Sequence, residues 1–222
     1  MDNKSAFQVN QYDENVRKVI PFYDEIYDRI FEVIKAHCGD KKLSLLDTGC
    51  GTGTLGLKAQ EQIDIAELVL CDPSEKMLAD AKNKLAGYNC EFILAGSEEL
   101  DFENRFDVVT AIQSHHYFDK PTRELAVQKC FDALKPGGIF IYFENTAPFS
   151  EIGKDNMIKR LEAYELKAGR TVEEVKAHSS RYNKEFFPIT IREHLELLNK
   201  TGFKASELFW QSYMQSGFYA VK

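Results

Sequence analysis

The sequence predicts an α/β fold in which a largely parallel sheet is wound on both faces by helices and closed by an antiparallel hairpin. Three observations carry this. Strand-like and helix-like segments alternate from about residue 43 to residue 145, as βαβ units require. A glycine-rich turn follows the first strand at residues 49–53. Two strands expected at about residues 204–210 and 213–221 are separated only by Gln211 and Ser212, a connection too short for anything but a hairpin.

The first strand is expected at residues 43–46, followed by the glycine turn and a helix to about Gln62. A second strand, residues 67–71, leads through Asp72-Pro73-Ser74 into a helix with Ser74 as N-cap and Gly87 beyond its end. Residues 91–94 form a third strand and residues 106–112 a fourth. The helix 122–134 then meets Lys135-Pro136-Gly137-Gly138, which turns the chain into a fifth strand at 139–144. A helix at 191–200 and a break at Gly202 precede the hairpin. Two segments stand outside the alternation. Residues 10–37 are helical around a break at Pro21, with Val16, Val19, Ile20, Tyr23, Ile26, Tyr27, Ile30, Phe31 and Ile34 on one apolar face. Residues 148–182 form a charged helical insertion dotted with aromatic side chains.

The chain of 222 residues suits one domain: a helical cap at 10–37, a core at 40–146, a helical lid at 148–182 and a closing helix and hairpin at 190–222. With 44% hydrophobic and 28% charged residues it reads as globular, and its longest apolar runs fall far short of a membrane span. The polar N-terminus lacks a signal-peptide core, and the 5 cysteines are scattered singly, so a cytoplasmic location without metal is expected. A net charge of −7 points away from nucleic acid and membrane surfaces. The mildly basic stretch at 154–204 leaves tRNA open, and a homodimer is also left open.

In the segment LLDTGCGTG, glycines let a ligand approach the backbone and let the chain take positive φ. Gly51, Gly53 and Gly56 also satisfy the dinucleotide spacing GxGxxG. Asp47 helps decide between the readings, because a carboxylate beside the loop repels a pyrophosphate and suits an ammonium group. S-adenosyl-L-methionine therefore fits better than NAD. Asp72 closes the second strand, next to the first at the binding crevice, where a carboxylate can accept both ribose hydroxyls. Met77, one turn into the next helix, is a candidate to pack on adenine.

The set LLDTGCGTG, LVLCDPSEKML, FDVVTAIQSHHYF and LKPGGIFIYFE, in this order and spacing, resembles the class I S-adenosylmethionine-dependent methyltransferases across residues 40–146. The closing segment down to GFYAVK is similar to the last two strands of that family. The resemblance implies a Rossmann-like, doubly wound, seven-stranded mixed sheet of order 3-2-1-4-5-7-6 with the last strand antiparallel. It implies that Asp47, Gly49, Gly51 and Gly53 hold the methionine end, Asp72 the ribose and Met77 the adenine. Gly96-Ser97-Glu98 stands where many members bind the adenine amino group, with Ser97 in place of their aspartate. Gln113 and Ser114 stand where the methionine backbone and methyl group are expected. The stretch YDENVRKVIPFYDEI resembles small methyltransferases related to carboxy-S-adenosylmethionine synthase, which use this region as a cap on the cofactor.

The expected reaction is transfer of a methyl group from S-adenosyl-L-methionine to a small-molecule acceptor, with S-adenosyl-L-homocysteine as product. Such a displacement requires chiefly that the nucleophile be positioned, and a base only where the acceptor must lose a proton. His115, His116 and Glu144 are the candidates for that base. Tyr12, Arg17 and Tyr23 are expected over the cofactor, the rings to face a sulfonium and Arg17 to bind a carboxylate. Arg160, Tyr164, Arg170, His178, Arg181, Tyr182, Trp210, Tyr213 and Met214 are expected as a group around the acceptor. Carboxy-S-adenosylmethionine synthesis in tRNA modification, a non-enzymatic S-adenosylmethionine-binding regulator and an NAD dehydrogenase remain as alternatives.

Overall fold

The strands form where the sequence is continuously apolar, as central parallel strands covered on both faces must be. A computed structural model describes residues 15–222. Its strands are β1 (Leu43–Thr48), β2 (Ile65–Asp72), β3 (Glu91–Leu94), β4 (Phe106–Ile112), β5 (Leu134–Ala147), β6 (Ile189–Thr190), β7 (Ala205–Ser212) and β8 (Gln215–Val221). They make one sheet of order β3-β2-β1-β4-β5-β8-β7, with β6 pairing β5 beside this path. Without the two-residue β6 this is the expected 3-2-1-4-5-7-6 order, and β8 runs antiparallel to both β5 and β7. The chain reverses its direction of winding between β1 and β4, and the crevice beyond their carboxyl ends is where ligands bind in such sheets.

Side chains alternate across the sheet and divide the core in two. Leu43, Leu45, Leu68, Leu70, Val108, Ile139, Ile141 and Phe143 face the helices α1 (Tyr23–Cys38), α2 (Thr54–Gln62) and α3 (Glu75–Lys84). Leu46, Val69, Cys71, Val109, Phe140, Tyr142 and Phe218 face α4 (Lys120–Ala133) and α7 (Ile191–Thr201). The insertion supplies α5 (Glu151–Lys167) and α6 (Val172–Ser179). Helices α3 to α7 each begin on a Ser, Thr or Asp whose side chain accepts from a backbone N–H of the first turn. Every apolar residue expected on one face of the N-terminal helix is buried, and Pro21 separates a 3-10 turn at Val16–Lys18 from α1.

The boundaries differ from expectation in two places. Lys135-Pro136-Gly137-Gly138 is an excursion within β5: Leu134 already pairs with Phe106, and pairing resumes with Ile139 opposite Val108. The hairpin turns at Tyr213 and Met214, two residues later than expected, with Ser212 opposite Gln215. A register shift between Leu208 and Trp210 absorbs an extra residue, and Tyr213 takes the positive φ of 51° that the turn demands.

Gly217 of β8 lies under two rings, and a Cβ there would meet Phe209 at 2.6 Å and Phe143 at 2.8 Å. Gly217→Ala is therefore expected to destabilise the protein by about 1–3 kcal/mol through overpacking. A denaturation midpoint equal to that of the wild type would contradict this placement.

Candidate functional site

Three strand ends build the floor of a cavity of about 250 Å³. After β1 the chain runs through Gly49, Cys50, Gly51 and Thr52, and after β2 through Asp72, Pro73 and Ser74. Ile112, Gln113 and Ser114 follow β4, while Met77 and the 96–98 segment close one side and Tyr23, Ile26 and Tyr27 of α1 the other.

Glycine is required at two loop positions for different reasons. Gly49 has φ 61°, and a Cβ there would meet the Ser114 Cβ at 2.5 Å, so glycine lets the β1 and β4 ends touch. Gly51 has φ 55°, and the space beside it is open, so glycine leaves its backbone bare. The Gly51 N–H donates to one Asp72 oxygen at 2.9 Å and the Ser74 N–H to the other at 2.9 Å. Asp72 thus ties the glycine loop to the end of β2, and each oxygen keeps a lone pair for further donors. Burial raises its pKa, against the lowering effect of those two N–H groups.

Asp47 is the most constrained acid of the site. Its Oδ1 accepts from the Thr110 hydroxyl at 2.6 Å, while its Oδ2 is buried with no partner among the described residues. Burial pushes its pKa up to about 7; the Thr110 hydroxyl opposes this and the nearby Asp72 charge adds to it. An ammonium group arriving in the cavity would supply the missing donor and neutralise the charge. Glu98 presents a second buried carboxylate oxygen without a partner, and Gly96 makes room for it, since a Cβ there would lie 2.5 Å away.

Behind the β4 end lies Glu144 of β5, fully buried. Its Oε1 accepts from the N–H of His115 at 2.9 Å and of Ser114 at 3.3 Å. Its Oε2 accepts from the N–H of His116 at 3.0 Å and is 2.6 Å from His116 Nδ1. Burial disfavours the ionised form, but His116, His115 and these N–H groups outweigh it and lower the pKa below the usual carboxylate value. His116 faces a second, smaller cavity of about 70 Å³, which shares Gln113 and Tyr117 with the first. The Tyr117 hydroxyl pKa is raised by burial, against the charge and hydrogen bond of Arg181.

Of the residues expected around the cofactor, Tyr23, Asp47, Gly49, Gly51, Asp72, Met77, Gly96, Ser97, Glu98, Gln113 and Ser114 line the first cavity. Tyr12 lies outside the described residues. Gly53 is turned away, because its missing Cβ would point at Ala81 and Leu85 of α3. Arg17 is on the surface, held bidentately by Asp24 at 2.6 and 2.9 Å. Ser97 is engaged at 3.0 Å with His115 Nε2, leaving Glu98 the better placed acceptor. His115 lines neither cavity; burial pushes its pKa down to about 4, and its Nδ1 has no partner among the described residues. Glu144 likewise touches neither cavity and acts through the chain it anchors.

Of the group expected around an acceptor, His178, Arg181, Tyr182 and Met214 line the smaller cavity. The others are committed elsewhere. Tyr164 donates to the Arg17 carbonyl, Arg170 pairs with buried Glu165, Arg160 covers the Tyr213 ring, and Trp210 packs on Phe143. Sequence reasoning missed Tyr27, Asn145 and Gln215 as cavity residues. The spacing of Tyr27 four residues after Tyr23 was the available signal for the first, and their hydroxyls are 2.8 Å apart.

Asp47 makes the ligand-free protein sensitive to pH. Because its folded pKa is raised, the stability it contributes is full below the ordinary value of 3.8 and is lost as the pH rises through about 7. Asp47→Asn is expected to flatten that dependence and to melt several degrees above the wild type at pH 8, at about 2–4 °C per kcal/mol. Parallel melting curves of the two proteins from pH 5 to pH 8 would contradict the assignment.

Comparison with known proteins agrees with this geometry. A family model described as a methyltransferase domain matches residues 45–138. A carboxy-S-adenosyl-L-methionine synthase of Staphylococcus epidermidis is 27% identical over 99% of this chain and 96% of its own length. The enzyme of the same name from Nautilia profundicola is 24% identical over 95% of this chain and 90% of its own. Among solved structures, magnesium protoporphyrin IX methyltransferase from Synechocystis with bound S-adenosylmethionine superposes with a TM-score of 0.63 at 18% identity, covering 97% of this chain and 86% of that one. The matched segment carries the glycine loop, both strand-end aspartates and the 113–117 connection, within a sheet of the expected order. The chain carries a methyltransferase domain and resembles the class I S-adenosylmethionine-dependent methyltransferases in sequence and fold.

Proposed function

We propose that this enzyme transfers the methyl group of S-adenosyl-L-methionine to a small-molecule acceptor bound between the sheet and the 148–182 insertion. One observation carries the reading: the smaller cavity meets the cofactor cavity across Gln113 and Tyr117, so a ligand in each would adjoin at the methyl position. The smaller cavity has an apolar wall of Val19, Ile20, Ile158 and Leu161, faced by polar groups that include Gln113, His116, Asn145, His178 and Arg181. Its size favours a compact acceptor over a polymer. Asp47 would receive the cofactor ammonium, Asp72 the ribose hydroxyls and Glu98 the adenine amino group, each an acid with acceptor capacity facing the first cavity.

The N-terminal segment and the insertion act in this proposal as cap and lid over one domain. Val16, Val19 and Ile20 from the first meet Ile158, Leu161 and Phe186 around the smaller cavity. Enclosure of this kind excludes water from the reacting groups. A cytoplasmic location accords with 5 free cysteines and with the absence, among the described residues, of a helix long and apolar enough to cross a membrane.

A second reading is formation of carboxy-S-adenosylmethionine, the activity named for relatives that align over nearly the whole chain. Arg181, which borders the smaller cavity, would there meet a carboxylate on the methyl carbon. Incubation with S-adenosylmethionine and a panel of small amines, thiols and phenols, together with mass spectrometry of the ligand that copurifies from cells, separates the two. Release of S-adenosylhomocysteine supports methyl transfer, whereas a bound cofactor heavier by carbon dioxide, seen by mass spectrometry, supports the second reading and defeats the first.

Calorimetry tests the cofactor site. A side chain at Gly51 enters open space next to the ligand, so Gly51→Val is expected to abolish binding without a large loss of fold, whereas Gly49→Val drives into Ser114 and impairs both. Asp72→Ala removes the ribose acceptor and the tether of the loop together, and is expected to weaken binding about ten- to a hundredfold. Affinity within twofold of the wild type for either Gly51→Val or Asp72→Ala would overturn this placement of the cofactor.

A further inference from the structure

Two imidazoles face the smaller cavity, and both are held through Nδ1 by a buried carboxylate. His178 of α6 is 2.6 Å from Glu165, whose charge is shared with Arg170 in the insertion. His116 is 2.6 Å from Glu144 and stands beside Gln113 and Tyr117, the residues common to both cavities. Only His116 therefore borders the point where the two ligands would meet.

The state of its ring follows from Glu144. Because Glu144 stays ionised it can only accept, so every group hydrogen-bonded to it must donate, and His116 carries its proton on Nδ1. A neutral imidazole protonated on Nδ1 has its lone pair on Nε2. That nitrogen lies on the ring edge away from Glu144, and no hydrogen bond to it is found among the described residues. The neighbouring histidine differs in each respect. His115 Nε2 is spent on Ser97, and its other nitrogen is sealed in the core.

We infer that His116 is the general base of the reaction and that the acceptor is a compact, largely apolar molecule bearing a weakly acidic hydroxyl of phenolic type. The inference rests on the methyl-transfer reading above and deepens it. The acceptor O–H gives its proton to His116 Nε2 while an oxygen lone pair forms the bond to the methyl carbon. The carbon–sulfur bond breaks and its electron pair stays on sulfur, which becomes a neutral thioether. The products are a methyl ether, S-adenosylhomocysteine and a proton held on His116 until water returns. Glu144 is a positioning residue: it fixes the tautomer and balances the imidazolium, as the acid does in a Ser-His-Asp triad. A side chain without an ionisable proton would not require this arrangement. The apolar wall, which includes Phe186 and Met214, suits an aromatic body.

The ionisable groups around the ring are Glu144 from β5, His115 and Tyr117 from its own turn, His178 and Arg181 from the insertion, and Arg123 and His194 from α4 and α7. The test uses the whole enzyme, S-adenosylmethionine and two probes, phenol and 4-nitrophenol, the latter largely ionised in mildly alkaline buffer. His116→Asn keeps a donor near the Nδ1 position for Glu144 and removes Nε2. It is expected to lose about 10²- to 10⁴-fold in kcat on phenol and far less on 4-nitrophenol, with the acidic limb of the phenol pH profile abolished. Calorimetric affinity for S-adenosylhomocysteine, unchanged within about threefold, reports that the variant is folded. Independently of activity, nitrogen-15 NMR of the wild type is expected to show His116 with a protonated Nδ1 and a bare Nε2. Equal losses on the two phenols, or a proton on Nε2 in the neutral ring, would overturn the base. A wild type that methylates amines or thiols and leaves both phenols untouched would overturn the acceptor class while methyl transfer stands. Absence of S-adenosylhomocysteine with every acceptor would instead remove the underlying reading.

Discussion

The buried carboxylate of Glu144 is the interaction around which this site is organised. An ionised acid with no solvent access costs several kcal/mol unless donors surround it. Here the donors are three consecutive backbone N–H groups, of Ser114, His115 and His116, and the His116 ring. The chain leaving β4 is thereby folded back on the end of β5, with Gln113 at a positive φ of 57° and its N–H on the Phe143 carbonyl at 2.6 Å. That fold-back delivers Ser114 to the glycine loop, Tyr117 to the boundary of the two cavities and His116 to the smaller one. One desolvated charge thus positions groups in both cavities.

The glycine loop shows the converse arrangement, a polar group left short of partners. Asp72 is satisfied by two loop N–H groups, yet Asp47 keeps one oxygen bare in the core and its carboxyl resists ionisation. A cavity lined in this way is less stable empty than filled by a cation, which is how stability is exchanged for affinity at a binding site. The bare oxygen of Glu98 extends the same condition to the other end of the cavity. The smaller cavity is built differently, the carboxylates behind it paired with histidines and one wall apolar.

Much of the fold was legible because its signals are local. β3 and β4 stand at their expected residues, and the apolar stripe from Val16 to Ile34 is buried throughout. The glycine loop could be read for its chemistry since Asp47 and the glycines are adjacent in the chain. The turns were harder. The hairpin turns at Tyr213, which takes a positive φ without being glycine, and a bulge near Phe209 resets the pairing beyond it; neither leaves much trace in composition. Arg17 was expected to bind a carboxylate of a ligand, and the carboxylate it holds in the fold is that of Asp24, seven residues on.

The sequence by itself determined the doubly wound sheet, the strand order through its family resemblance, and the acids at the ends of β1 and β2, since periodicity and adjacent motifs encode these without reference to distant residues. Only the tertiary structure decided which of two adjacent histidines faces a cavity. His115 and His116 are alike in sequence context, and their fates diverge through partners 18 and 28 residues away, Ser97 for one and Glu144 for the other. The membership of the smaller cavity was decided in the same way, with Arg181 and Tyr182 brought beside Val16 and Met214 by packing across the sheet end. Such contacts depend on how the elements are brought together in space, which residue spacing along the chain does not record.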